Sequence, residues 1–212
     1  MKTLSVPLLT GVEETDLDTA LELEGARFDI SEVNWPSDYP YAPFAHGRIA
    51  RTEDALVVDF RVSGLDLRAR NLEDNQRQWE DSCVEFFVED PDGSLYYNFE
   101  INPLGKVLAA RGASRQGRVM RPREEMQQIL RTAQLEGEQD FEGGIWNWRV
   151  TLVIPFELIG VDSEALPEQL RANFYKCGDK TAHPHYVSWN PVETPAPDFH
   201  RPDFFGELIL KP

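Results

Sequence analysis

Apolar and polar residues alternate with a period of two along much of the chain. Such alternation runs through HGRIART (46–52), ALVVDFRVSG (55–64), WEDSCVEFFVED (79–90), SLYYNFEIN (94–102) and WNWRVTLVI (146–154). Many short alternating segments separated by turn residues are typical of β-sandwiches and barrels. We therefore predict an all-β fold: a single-domain β-sandwich of jelly-roll or immunoglobulin-like type over residues 1–212.

The parts of the chain outside this alternation are predicted as loops or short elements. Residues 34–44 hold three prolines among aromatic residues, which excludes a central strand there. Two strand-like segments, 20–25 and 27–30, precede this loop. The charged segment 113–140 lacks a period of two, so we predict a long, partly helical loop around it.

One predicted strand carries unusual residues on its second face. Val84, Phe86 and Val88 form an apolar face, while Cys83, Glu85 and Phe87 lie on the other. The turn PDGS (91–94) joins this strand to YYNFEIN, which predicts an antiparallel hairpin. Asn98 and Glu100 would then share a face with Glu85. Carboxylate and amide side chains on one face suit a polyhydroxylated ligand, because a carboxylate accepts hydrogen bonds from two adjacent hydroxyls.

Two tryptophans lie beside turn and polar residues instead of inside apolar runs. Trp79 precedes the hairpin and Trp189 lies in HYVSWNP, whereas Trp148 alternates with Val150 and Leu152 and is predicted to be core. An aromatic ring can stack on the apolar face of a sugar ring. Cys83 and Phe87 lie on the same strand face as Glu85, although neither suits an open polar surface. We therefore expect the 113–140 loop to cover part of this face, so that the site is a pocket.

The charge of the chain limits its partners. With 37 acidic and 21 basic residues, the formal net charge is −16 at pH 7. Such a surface repels nucleic acid and anionic membranes, so we expect neither as a partner. No secretory signal and no run of 18 apolar residues is present, so a cytoplasmic location is expected unless a leader was removed. Cys83 and Cys177 can form a disulfide only if their strands are neighbours.

The chain resembles the carbohydrate-binding family 9-like group from about Tyr41 to the C-terminus. The resemblance is carried by four strings: WEDSCVEFFVE, YYNFEINPLG, RANFYKCGD and HYVSWNPVETPAPDFHRPDFFGEL. That group is related to the family 9 modules attached to some xylanases. The resemblance implies a β-sandwich that binds a mono- or oligosaccharide without catalysis and serves carbohydrate catabolism. It also implies a structural calcium ion, for which the acidic clusters Asp16–Asp18 and Glu73–Asp74 are candidates.

Site residues follow from the resemblance by position. Trp79 and Trp189 resemble the two stacking tryptophans of family 9 modules, and Glu85 resembles the glutamate that binds hydroxyls. Asn98 and Glu100 occupy a strand where the xylanase modules place an arginine, and Lys176 is the candidate replacement donor. The catalytic set is predicted to be empty, the metal ligands are left unassigned, and the oligomeric state is open.

Two alternatives remain open at this point. Glu85 and Glu100 also suit a glycoside hydrolase, in which two carboxylates flank the scissile bond. The same aromatic face would alternatively serve as a protein–protein interaction surface. The one basic cluster, ASRQGRVMRPR (113–123), is interpreted as a solvated loop or as a lid over the site.

Overall fold

Two β-sheets pack face to face in the computed structural model, which describes residues 1–136 and 144–211. In chain order the described strands are β1 (Thr3–Val6), β2 (Ala26–Asp29), β3 (Glu32–Val33), β4 (Phe44–Arg51), β5 (Ala55–Gly64), β6 (Cys83–Glu89), β7 (Tyr96–Ile101), β8 (Val107–Gly112), β9 (Val119–Met120), β10 (Leu130–Glu136), β11 (Trp146–Pro155), β12 (Gln169–Cys177), β13 (Tyr186–Ser188) and β14 (Gly206–Leu210). Two α-helices accompany them, α1 (Leu17–Glu24) and α2 (Arg123–Met126).

The described strands divide into a larger and a smaller sheet. The larger sheet has the order β1-β14-β12-β6-β7-β8-β9, with β13 and β3 attached beside β12. The smaller sheet has the order β10-β11-β5-β4-β2. All pairs are antiparallel except β1 with β14. The predicted all-β sandwich is therefore confirmed.

The main core lies between the two sheets. Val84, Phe86 and Val88 of β6 face it, as the alternation predicts, and Phe60 of β5 faces them from the smaller sheet. Phe174 of β12 anchors this layer, since its ring stacks on Phe86 with centroids 5.2 Å apart. Burying each of these side chains contributes about 1.5–3 kcal/mol, so this layer supplies much of the driving force for folding.

A second hydrophobic cluster lies on the outer face of the larger sheet. It contains Cys83 and Phe87 of β6, which the loop containing Trp35 and the C-terminal segment bearing Phe199 and Phe205 bury completely. Trp35 fixes the two coverings to each other, because its indole Nε1 donates a 2.7 Å hydrogen bond to the carbonyl of Thr194. Part of this face is thus covered as expected, but Cys83 and Phe87 pack in a cluster with the Pro-rich C-terminal segment, and no residue of the described part of the predicted loop, 113–136, belongs to that cluster.

Residues 113–136 contain more regular structure than a loop. The predicted helical part is present as the single turn α2, but Leu130–Glu136 forms the edge strand β10. Most residues of β10 are exposed on both faces, so the sequence shows no alternation there. Residues 137–140 of the predicted loop lie outside the described part of the chain.

The predicted strand-like segment 20–25 is wrong. It lies largely in α1, whose buried residues Leu17, Ala20 and Leu21 have the i, i+3, i+4 spacing of a helical face. The alternating Leu21 and Leu23 fit a strand over four residues, but Leu23 is exposed on the helix. The second predicted segment, 27–30, corresponds to β2. No helix in the described ranges is long and apolar enough to cross a membrane.

Candidate functional site

The uncovered part of the outer face of the larger sheet carries a polar floor. In the β6–β7 pair, Glu85 lies directly opposite Glu100, and Phe87 lies opposite Asn98. This register confirms the predicted hairpin and brings Glu85, Asn98 and Glu100 onto one face. The next strand, β8, adds the apolar Leu108 beside Glu100. The floor therefore has acids and an amide at its centre and apolar atoms on one side.

Loops around this floor turn it into a pocket of about 340 Å³. That volume is at the small end of the range for small-molecule sites. The lining is mixed, with aromatic, apolar, acidic and basic side chains: Trp79, Glu85, Asn98, Glu100, Leu108, Ala110, Arg115, Arg118, Met120, Cys177, Asp179, Tyr186, Pro197, Asp198, Phe199 and His200. Of the six predicted site residues, the structure brings together Trp79, Glu85, Asn98 and Glu100, and leaves out Trp189 and Lys176.

Trp79 forms part of the pocket wall. It lies in the 3₁₀ turn Gln78–Glu80, immediately before β6, and its side chain is half-buried. The turn is held to the end of β12, because the backbone N–H of Asp179 donates to the Trp79 carbonyl at 3.1 Å. A half-buried indole on a fixed turn presents an apolar surface to a ligand without an ordering cost on binding.

The carboxyl groups of Glu85 and Glu100 are buried side by side, with 3% and 4% of their residue surfaces exposed. Glu85 Oε1 accepts a hydrogen bond from the Cys177 thiol at 3.0 Å, and Glu100 Oε1 accepts one from Asn98 Nδ2 at 2.9 Å. Glu100 Oε2 is buried and has no hydrogen-bond partner. A buried acceptor without a donor costs free energy, which a ligand hydroxyl or ammonium would recover.

Burial also shifts the acidity of this pair. Desolvation raises the pKa of Glu85 well above its usual range, and the neighbouring negative charge of Glu100 raises it further. Desolvation raises the pKa of Glu100 to about 7, against the opposing effects of the Asn98 hydrogen bond and the Arg118 charge. Two carboxyls directly opposite each other cannot both ionise cheaply, so the pair retains a proton near neutral pH.

Arg118 is the basic side chain that sequence reasoning did not assign to the site. It lies just before β9, and its Nε donates to Asn98 Oδ1 at 2.8 Å. Its guanidinium also lies 4.0 Å from the centroid of the Tyr96 ring. Its signal in the sequence is the basic cluster 113–123, for which the sequence predicts a solvated loop or a lid. Arg115 and Arg118 line the pocket, which supports the second interpretation.

His200 contributes a neutral polar group to the opposite wall. Its Nδ1 lies 3.0 Å from the Tyr96 hydroxyl. Burial lowers the pKa of His200 to about 3, so the ring is uncharged at neutral pH. The sequence shows His200 only as part of a Pro-rich tail, and nothing in its spacing assigns it to a site.

Trp189, which the sequence predicts to be the second stacking tryptophan, lies outside the pocket. It is 5% exposed and belongs to the core between the sheets, where it packs edge-to-face on Phe174 with centroids 5.5 Å apart. The reason is strand alternation, since Trp189 lies two residues after the fully buried Val187 and shares its face. The following Asn-Pro suggests that Trp189 is exposed, but its alternation with Val187 predicts the buried position correctly.

Lys176 also lies away from the pocket. It shares the inward face of β12 with Phe174, and its Nζ contacts His185 Nε2 at 2.8 Å and the Cys177 carbonyl. Burial lowers the pKa of Lys176 to about 8. Because Lys176 lies two residues after Phe174 on the same strand, its side chain points to the opposite sheet face from Glu85. Lys176 is therefore not a donor to a ligand in this pocket.

The two cysteines are neighbours across β6 and β12. Cys83 lies opposite Cys177 in the register, and both are buried free thiols. Burial raises the pKa of Cys83 to about 12 and that of Cys177 well above its usual range. The condition for a disulfide, neighbouring strands, is thus met, but the structure has both thiols reduced and hydrogen-bonded.

Two of the four acidic residues proposed for the implied calcium, Asp18 and Asp74, are already held by other side chains. Both oxygens of Asp74 are held by Arg131, at 3.0 and 2.7 Å, and Asp18 Oδ1 accepts from Arg149 and Thr151. Among the described residues, one group of three His, Cys, Asp or Glu side chains is close enough to share an ion: Cys83, Glu85 and Cys177. Calcium prefers six to eight oxygen ligands, which two thiols and a carboxylate do not provide.

Comparison with curated proteins gives no match. Among solved structures, a candidate carbohydrate-binding protein from Bacteroides uniformis ATCC 8492 is 35% identical, with a TM-score of 0.88 and 99% of each chain covered. A family 9 carbohydrate-binding module from Caldicellulosiruptor kristjanssonii, solved with glucose, is 14% identical, with a TM-score of 0.63 and coverage of 99% of this chain and 96% of the module. The same kind of module from that organism, solved with cellotriose, is 12% identical, with a TM-score of 0.62 and coverage of 99% and 94%.

The two modules share the fold with this chain, and the Bacteroides protein shares sequence as well. The profile described as carbohydrate-binding family 9 matches residues 15–210, nearly the whole chain. This match includes every strand that forms the pocket. The chain therefore belongs to carbohydrate-binding family 9.

Proposed function

We propose that this chain binds a mono- or oligosaccharide non-covalently in the pocket between Trp79 and the Glu85–Glu100 floor, and that it serves carbohydrate catabolism. The observation that carries the proposal is the combination of a half-buried indole with a buried acceptor, Glu100 Oε2, that has no donor. One offers an apolar surface and the other a hydrogen-bond position. A sugar ring needs both, because its faces are apolar and its edge is polar.

Each polar side chain of the floor, and Arg118 beside it, has a definite role in this proposal. Glu100 Oε2 accepts from one hydroxyl, and Glu85 accepts from another beside it. The Asn98 side chain is oriented by two bonds, one to Glu100 Oε1 and one from Arg118 Nε, so Arg118 acts as a positioning residue. Pre-oriented side chains lose little conformational entropy on binding, which favours affinity.

Family membership supports a sugar as the ligand. Two modules with the same fold were solved with glucose and with cellotriose. By analogy with these modules, the proposed ligands include glucose and short β-glucans. We expect modest affinity, roughly micromolar or weaker, because a sugar offers little apolar surface and its hydroxyls are well hydrated.

The arrangement of the carboxyls favours binding over glycoside hydrolysis. A hydrolase places its two carboxyl groups on either side of the scissile bond. Glu85 and Glu100 instead project side by side from adjacent strands of one sheet, so both reach the same side of a bound ring. The floor therefore suits recognition of adjacent hydroxyls better than protonation and attack from two sides.

Isothermal titration calorimetry against glucose, galactose, xylose, cellobiose and cellotriose tests the proposal. We expect at least one sugar to bind in the micromolar to low millimolar range, and Trp79→Ala to weaken that binding by at least about tenfold. Absence of binding by every sugar at millimolar concentration would refute the proposed function. Binding that survives Trp79→Ala unchanged would refute the assigned pocket.

A further inference from the structure

The Glu85–Glu100 pair lacks a cation. Across residues 1–136 and 144–211, no Lys, Arg or His nitrogen lies within 4.0 Å of either carboxyl group. The donors that do reach them are neutral: the Cys177 thiol on Glu85 and the Asn98 amide on Glu100. Buried carboxylates are ordinarily paired with cations, so this pair is an exception that requires a cause.

Other charged groups of the pocket do not supply the missing charge. Arg115 lies 3.4 Å from Asp198, at the pocket rim, and both belong to that pair. Asp179, after β12, adds another acid to the lining. His200, facing from the C-terminal segment, is neutral because burial holds its pKa at about 3.

Arg118 is the remaining cation, and its guanidinium is engaged elsewhere. Its nitrogens donate to Asn98 Oδ1 and to the carbonyls of Ser114, Tyr96 and Ala110. Leaving aside the Arg115–Asp198 pair, the lining of the pocket has three acidic side chains, Glu85, Glu100 and Asp179, against this one cation. Even with one proton retained by the Glu85–Glu100 pair, two carboxylates remain for one guanidinium. The pocket is thus short of positive charge at the place where Glu100 Oε2 has no donor.

We propose, building on the carbohydrate-binding function above, that the preferred ligand is an amino sugar whose protonated amino group lies against Glu100 Oε2 and Glu85. An ammonium has three N–H donors, so it can bond both carboxyls and still donate to a further acceptor. Bonds between charged partners are shorter and roughly twice as strong as neutral ones. A neutral sugar fills the same space but supplies no positive charge, so the carboxyl pair is neutralised only by the proton that it retains.

The formal net charge of −16 gives the ligand a second, weaker attraction that must be separated from the first. Long-range attraction by exposed carboxylates is screened by salt, with a Debye length of about 8 Å at physiological ionic strength and about 3 Å at 1 M. Contact between an ammonium and a buried carboxylate is screened much less. A preference that persists in high salt therefore identifies the pocket as its source.

Calorimetric titrations with glucosamine, glucose and N-acetylglucosamine at near-neutral pH test the inference. Acetylation is the matched control on the ligand side, since it keeps the nitrogen and removes its charge. We expect glucosamine to bind at least about tenfold more tightly than glucose, and the preference to remain in about 0.5 M NaCl. N-Acetylglucosamine is expected to lose the advantage. The same series with galactosamine and galactose extends the comparison to a second sugar.

Glu100→Gln is the decisive variant, because glutamine keeps the acceptor for Asn98 but cannot bear the charge. It should bring the glucosamine-to-glucose affinity ratio close to one. Glu89→Gln is the matched control, since Glu89 lies on the same face of β6 outside the pocket and pairs with Arg171. It should leave the ratio unchanged.

The outcomes separate this inference from the function on which it rests. Glucose and glucosamine binding with equal affinity, or a preference that survives Glu100→Gln, would overturn the amino-sugar assignment and leave sugar binding intact. A preference that disappears in high salt would assign it to the acidic surface and would overturn the inference as well. Failure of all the sugars to bind would overturn both.

Discussion

At the residue scale, Trp79 and Trp189 show how the same side chain takes opposite roles. Trp79 is half-buried at the pocket wall, whereas Trp189 is 5% exposed and packs on Phe174 inside the sandwich. The Trp79 ring has an exposed apolar surface that a ligand can contact. The surface of the Trp189 ring is buried against other core residues.

Alanine substitutions should separate these two roles. Trp189→Ala removes a large buried ring, so we expect a loss of about 3–5 kcal/mol in the free energy of unfolding, measured by urea denaturation. Trp79→Ala should cost much less stability but at least about tenfold in sugar affinity. Equal destabilisation by the two substitutions would contradict the assignment of Trp79 to the pocket wall.

Glu100 should make the stability of the protein depend on pH. Its pKa is raised to about 7 by burial, above its value in an unfolded chain. The folded protein therefore binds the proton more tightly than the unfolded chain does, and stability falls as pH rises from about 4.5 to about 7. Glu100→Gln removes this loss, so the variant should be more stable than the native protein at pH 8, by at most about 3 kcal/mol, and nearly equal to it at pH 4.5.

Urea denaturation at both pH values measures this difference. Glu207→Gln on β14 is the control for the loss of a partly exposed carboxylate. A Glu100→Gln protein that is no more stable than the native one at pH 8 would show that the carboxyl is not strained by burial.

At the scale of elements, strand alternation predicts the position and facing of a strand wherever one face is buried and the other differs from it in polarity. It predicts the β6–β7 hairpin, the core face of β6 and the shared face of Glu85 and Glu100. It does not show β10, because an edge strand exposed on both faces has no apolar–polar pattern. It also does not place Arg118, since the contact with Asn98 depends on the turn between the paired strands β8 and β9.

The two wrong site residues have the same physical explanation. Lys176 and Trp189 each share a strand face with a buried residue, Phe174 and Val187 respectively. Polarity suggested exposure for Lys176, and the neighbouring Asn-Pro suggested it for Trp189. The strand direction overrides both, because successive side chains must point to opposite faces.

Gly206 of β14 lies in close contact with the Trp189 ring, so substitutions there measure how tightly the core is packed around that ring. A Cβ atom there would lie 2.5 Å from Cζ3 of Trp189 and 2.7 Å from the carbonyl oxygen of Lys2. We expect Gly206→Ala to lower the free energy of unfolding by about 1–3 kcal/mol, since ring and backbone must both move. At Gly112 of β8 the nearest atom would be 3.4 Å away, so Gly112→Ala serves as the control, with an effect below about 1 kcal/mol. Equal stability of the two variants would contradict this packing.

At the scale of the whole molecule, arginine side chains bind Asp18 and Asp74, two of the acidic residues that are candidate calcium ligands. Arg131 binds Asp74 with two hydrogen bonds and joins the loop before β6 to β10 of the smaller sheet, and Arg149 similarly reaches Asp18. Because these carboxylates are already neutralised, neither is available to a divalent ion. The connections between loops and sheets are made by the chain itself.

Removing divalent ions should therefore leave the melting temperature unchanged. We expect no shift with EDTA, whereas Arg131→Gln should lower stability by up to about 1 kcal/mol, as for a partly exposed ion pair. Differential scanning calorimetry with EDTA, and then with excess calcium, makes the comparison. A fall with EDTA that calcium reverses would show that a structural ion binds to other residues.

The proposed function requires a sugar to lie in the pocket between Trp79 and the Glu85–Glu100 floor of the larger sheet. A crystal structure of the protein with the tightest-binding sugar from the calorimetric series tests this most directly. We predict a sugar ring stacked on Trp79, with a donor group of the sugar within hydrogen-bond distance of Glu100 Oε2. A sugar bound on another surface, with Glu100 Oε2 still lacking a donor, would contradict it.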